Sequence, residues 1–183
     1  MEALRIVLMA IAAAIVYGIV HDQVTARVAI EYFTVAHPRI IESEDPTVLG
    51  LLWGVIATWW VGAILGILLA VAARAGSKPK RAARDLVRPV ASLMGIMAAC
   101  ALVAGVLGWL LGRSGAVVLL GDLARTIPEA RHARFLGAWW AHMASYGVGA
   151  IGGLVLAALV WRSRGPQAHS AKFATGPSPG VSS

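Results

Sequence analysis

"VLGLLWGVIATWWVGAILGILLAVAA", residues 48–73, carries no charged side chain from end to end. At 1.5 Å per residue it is long enough, as a helix, to cross the roughly 30 Å hydrocarbon core of a bilayer. In lipid a helix satisfies every N–H and C=O within its own segment, whereas an open strand leaves an edge unpaired. Three further stretches share the property: Leu4 to Val20, Val90 to Leu111, and about His142 to Trp161. No run between them is both long and apolar enough for a fifth. The 183 residues are 58% hydrophobic and 14% charged, against about 25% charged in soluble domains, and the mean hydropathy is +0.74. The expected class is all-α, a four-transmembrane-helix bundle.

Boundary signals set the expected helices at about 3–37, 48–74, 89–112 and 127–162, one transmembrane domain over 1–162. Pro89 suits a helix start, where a missing N–H costs nothing. Thr126 and Glu129 have capping-box spacing, with Pro128 in the first turn. From Ala3 to His37 there is no proline and no break but Gly18, and His37-Pro38 is a stop, because the residue before proline is pushed away from α. The first and fourth helices are therefore expected to continue beyond the lipid into a polar exoplasmic cap. A competing reading takes "VTARVAIEY", residues 24–32, as a strand, on its β-branched content and alternation. From Ser163 to Ser183 the chain is rich in Pro, Gly and Ser and is expected to be a disordered cytoplasmic tail.

Small residues recur four apart, as Gly50/Gly54, Gly62/Gly66, Gly108/Gly112, Gly149/Gly153 and Ala10/Ala14/Gly18. That spacing lets helix backbones approach closely where hydrophobicity cannot drive association. Packing within the chain is the plainer use of these faces, and a homo-oligomer the other. Trp53, Trp109, Trp139 and Trp140 fall near one membrane interface and Trp161 near the other, as an aromatic belt requires. Trp59 and Trp60 lie too deep for it, which leaves packing between helices or a lipid or quinone contact.

Orientation follows from Lys and Arg in the short loops. The second loop holds Arg74, Lys78, Lys80, Arg81, Arg84 and Arg88 against Asp85 alone. The first holds Arg27 and Arg39 against Asp22, Glu31, Glu42, Glu44 and Asp45. The second loop and both termini are thus expected in the cytoplasm, although Arg113, Arg125, Arg131 and Arg134 in the third loop pull the other way. The formal charge of +7 then reads as this asymmetry, with affinity for anionic lipid head groups and not for nucleic acid, for which no motif is present. The first segment is expected to stay attached: Glu2 balances Arg5, and no A-x-A site closes the apolar run.

Two helices crossing in opposite directions place side chains at equal depth when their residue numbers have a constant sum. With His21 and His142 at the lipid boundary, that sum is 163, and Glu31 falls opposite His132. Glu129-Ala-Arg-His132 has the Glu-x-x-His spacing of di-iron bundles. Together, His21, Asp22, Glu31, His37, Glu129, His132 and His142 offer enough N and O donors for a divalent transition metal. A full di-iron set needs a second such motif and two further glutamates, which are absent. His21 and His142 also invite a haem. The plainer alternative is a polar network in which Asp22, Glu31, Arg27, Arg131 and the histidines satisfy one another. Cys100 is alone within the third segment, so no disulfide is expected. There is no P-loop, G-x-S-x-G or H-E-x-x-H, and no mid-membrane acid or base marks a proton-coupled pump.

"YGIVHDQVTARVAIEYFTVAHPR", residues 17–39, resembles a signature in a group of bacterial four-helix membrane proteins. The resemblance covers about the first 40 residues. It implies a bacterial cytoplasmic membrane and draws attention to His21, Asp22, Glu31, Tyr32 and His37 without giving them roles. The expected function is that of a small accessory or binding protein whose exoplasmic face recognises a membrane-protein partner, a metal or a lipid. A metal- or haem-dependent oxidoreductase and a small channel or carrier are the rivals.

Overall fold

The structure is a computed structural model that describes residues 1–164. Seven helices follow in order among them: α1 (Glu2–Val28), α2 (Glu31–Thr34), α3 (Pro46–Ile56), α4 (Trp59–Arg74), α5 (Ala83–Arg113), α6 (Gly121–Thr126) and α7 (Glu129–Ser163). Counting α3 and α4 as one interrupted span, four helices are long and apolar enough to cross a membrane. The described residues are all-helical, and the strand reading of 24–32 is not realised. The expected disorder from 165 onward lies outside the described residues. Ser163 closes α7 and Arg164 is buried, so the first two residues of the expected tail belong to the folded bundle.

Two antiparallel helix pairs make the bundle. α1 packs along α3 and α4, α5 packs along α7, and the pairs join chiefly through α4 on α7 and α1 on α5. The small residues set the first seam. A methyl group added to Gly54 would stand 2.5 Å from Ile19 Cα, and one added to Gly62 would meet Ile11 Cα at 2.8 Å. Gly108 lies as close to α7, 2.8 Å from the Leu136 carbonyl by the same construction. These faces are used within the chain. One apolar cluster closes the end formed by the first and third loops, around Tyr32, Phe33, Trp53 and Phe135. A second, around Ile6, Leu69, Leu86 and Val160, closes the end formed by the second loop.

Several boundaries differ from the sequence reading, each for a local reason. α1 stops at Val28 and does not run to His37. Ala29 turns out of the helix at φ −150°, ψ 83°, and the single turn of α2 folds back over the bundle. A continued helix would carry Tyr32 and Phe33 outward, whereas the turn leaves them 6% and 3% exposed, worth about 1.5–3 kcal/mol per large side chain. The second span starts at Pro46, with Asp45 capping the Thr47 and Val48 amides at 2.8 and 2.9 Å, and breaks at Ala57–Thr58. There the Thr58 hydroxyl bonds the Gly54 carbonyl one turn back, a contact that bends helices.

α5 begins at Ala83, not at Pro89. The Asp85 carboxylate accepts the Ala82 amide at 2.9 Å and burial of Leu86 holds the first turn down. Pro89 then lies inside the helix, where it forgoes the bond to the Asp85 carbonyl. The Thr126–Glu129 capping box does not form. Thr126 ends α6, Ile127 is extended and 2% exposed, and α7 starts from Pro128 without a side-chain cap. Among the tryptophans, Trp59 and Trp60 are half exposed on the bundle's outer face, not packed between helices, and Trp53 is buried, not part of a belt.

Candidate functional site

The polar residues of α1 and α7 meet at nearly constant residue-number sum, as antiparallel crossing demands. Tyr17 and Ser145 share a hydrogen bond of 2.7 Å. His21 Nε2 approaches His142 Nδ1 at 3.3 Å, and His142 Nε2 lies 3.1 Å from Asp22 Oδ1. Glu31 pairs with Arg131, one residue short of the expected His132. Of the seven donor residues singled out in the sequence, His21, Asp22 and His142 converge, with one ligand atom from each within 4.8 Å of the others.

The remaining four are engaged elsewhere. His37 Nδ1 bonds the Tyr32 carbonyl at 2.7 Å and His132 Nε2 bonds the Ile127 carbonyl at 2.8 Å. Each ring ties a chain reversal to the helix beside it. Glu31, almost buried, is neutralised by the half-exposed Arg131, and Glu129 is exposed at the first residue of α7. Arg27 bonds Gln23 and Thr47 rather than an acid. Two participants were not singled out for the site: Tyr17 and Ser145 carry no metal-ligand signature, and only the constant-sum register could have paired them.

His142 is the pivot. It is 3% exposed, and Tyr32 stacks on its ring with centroids 4.0 Å apart. Burial pushes the Tyr32 phenol far above its usual range, so this cover stays neutral. The Ala138 carbonyl, which can only accept, lies 2.9 Å from His142 Nδ1. That nitrogen is satisfied there as an N–H donor, which leaves Nε2 facing the Asp22 carboxylate at 3.1 Å. Between Nε2 and Oδ1 at that distance lies either a shared proton, in an ordinary His–Asp pair, or a metal.

Metal-bound imidazoles typically donate their second N–H to a carbonyl in this way. Two ligands on a tetrahedral zinc stand about 3.3 Å apart, given bonds of about 2.0–2.1 Å. The His21 and His142 rings meet edge to face, 4.4 Å between centroids, which leaves no slot for a macrocycle.

The fold and this cluster define an all-helical bundle of membrane-spanning dimensions with a His–Asp–His group in which Asp22 and His142 are buried and His21 is partly exposed. No family model, curated protein or solved structure matches the chain.

Proposed function

We propose that the chain is a small integral protein of a bacterial cytoplasmic membrane that binds a divalent transition metal through His21, Asp22 and His142. The observation that carries the reading is the convergence of one ligand atom from each of His21, Asp22 and His142 within 4.8 Å of one another, with His142 Nε2 facing Asp22 Oδ1 at 3.1 Å. Two imidazoles and one carboxylate suit zinc and its neighbours in the first transition row. Three protein ligands leave a fourth position for water or a further group. The Lys and Arg excess of the second loop supports a topology with both termini in the cytoplasm, so that the metal end faces away from it.

The test is metal analysis of the detergent-purified protein after equilibration with zinc. One equivalent per chain is expected, with affinity falling more than roughly 100-fold in His142→Ala and His21→Ala, beyond the range for loss of a supporting partner alone. Glu31→Ala and His132→Ala should keep their metal. A wild-type protein that stays metal-free, or a His142→Ala variant that binds as tightly, would mean that a proton fills the gap and the cluster is structural.

A further inference from the structure

A groove of about 620 Å³ runs between α1 and α5, with α7 as its floor. It opens along the seam between the two helix pairs, where α1 meets α5 far less closely than helices meet within either pair. Its floor is small, through Gly137 and Ala141, and α5 comes down on it at Gly105, where an added methyl would be 3.3 Å from Ala141 Cβ. The walls are apolar apart from Tyr17, His21 and Thr25, and no acid lines it. At the first-loop end stand Arg27 and Arg134, both exposed, and neither forms an ion pair among the described residues.

The dimensions are informative. Along α5 the groove spans Ala98 to Trp109 and along α1 Tyr17 to Val28, eleven steps of 1.5 Å in each case, or about 16 Å. That is half of the roughly 30 Å hydrocarbon core, the depth of one leaflet. Its apolar part would lie at acyl-chain depth and its two guanidinium groups at head-group level. Arginine meets phosphate as a planar, multiply donating cation.

We propose that this groove holds one anionic phospholipid of the first-loop leaflet, an acyl chain lying on Gly137 and Ala141 and the head group held by Arg27 and Arg134. The site is separate in its polar contacts from the metal reading, sharing only the His21 wall, and stands without it. A bound lipid tail would fill the space that side chains leave between the helix pairs.

The experiment is native mass spectrometry of the full chain in detergent supplied with equimolar phosphatidylglycerol and phosphatidylcholine. One phosphatidylglycerol per chain is expected, retained roughly tenfold over phosphatidylcholine, the scale of one or two cation contacts at the head-group surface. The Arg27→Gln/Arg134→Gln double variant should lose the preference but keep a lipid. Ala98→Phe, which blocks the deep end from an exposed position, should lose both lipids. If that variant unfolds, Val24→Trp blocks the groove from α1, where the side chain is 61% exposed. Equal retention of the two lipids by the wild type, retained lipid in the blocked variants, or a dimer that those variants dissociate would overturn the proposal. The last outcome would assign the groove to a second copy of the chain.

Discussion

Replacing Arg164 with alanine is expected to destabilise the protein by about 3 kcal/mol or more, since hydrogen bonds from a charged donor contribute about 1.5–3 kcal/mol each. Arg164 is 1% exposed. Its Nε donates to the Pro79 carbonyl at 2.7 Å, Nη1 to Ala72 at 2.5 Å, and Nη2 to Ala75 and Lys78 at 2.8 and 3.0 Å. Ala72 and Ala75 belong to the last turn of α4 and its C-cap, whose free carbonyls form the negative end of that helix's dipole. The guanidinium also lies over the Trp161 ring at 5.3 Å. One side chain thus ties the end of α7 to the end of α4 and to the second loop.

Removing it strands four carbonyls at once. Lysine, a point donor, should recover only part of the loss, because it cannot span the fan of acceptors that the planar fork reaches. Arg162→Ala, two residues away and exposed, should change stability by less than about 0.5 kcal/mol. Denaturant titration of the detergent-solubilised protein reads all three. Equal effects at positions 162 and 164 would show that the clamp carries no weight.

The second large effect is expected at Gly54. An added Cβ would stand 2.5 Å from Ile19 Cα, 2.6 Å from Ile19 N and 2.8 Å from the Gly18 carbonyl carbon. All three are backbone atoms, so no rotamer change can make room, and α1 and α3 must move apart. Overpacking of this kind costs about 1–3 kcal/mol for one methyl, and Gly54→Leu should cost more still. Gly147 and Gly95 supply the contrast, since an added Cβ meets nothing within 4 Å at either. Alanine there should be neutral or stabilising by up to about 1 kcal/mol, because it is the better helix former. The same unfolding assay decides. Should Gly54→Ala match Gly147→Ala, the close seam between α1 and α3 is not what holds them.

Much of the geometry was legible before any coordinates. The constant-sum rule needs only two antiparallel helices and one anchor; with His21 taken level with His142, it accounts for Tyr17 against Ser145, while Glu31, beyond the end of α1, meets Arg131 and not His132. The four long helices were readable because each is an apolar run of the length and composition that a bilayer crossing would require. Glu31 and His132, by contrast, were assigned to a shared pocket on the premise that α1 stays helical to His37. It leaves the helix at Ala29 because burial of Tyr32 and Phe33 outweighs continued helix propensity, a balance that depends on Phe135 and Trp53 being there to receive them. Arg164 fell within the stretch expected to be a disordered tail, since nothing adjacent in sequence announces four carbonyl partners more than 80 residues away.

By itself, then, the sequence determined the all-helical class and the four long apolar helices, because hydropathy and helical rise are properties of single segments. Tertiary structure alone decided which donors converge, where the chain reverses, and that a groove lined by α1, α5 and α7 stays open between the helix pairs. Those outcomes depend on which side chain fills which space across the bundle, and such complementarity between distant segments is not encoded in any one of them.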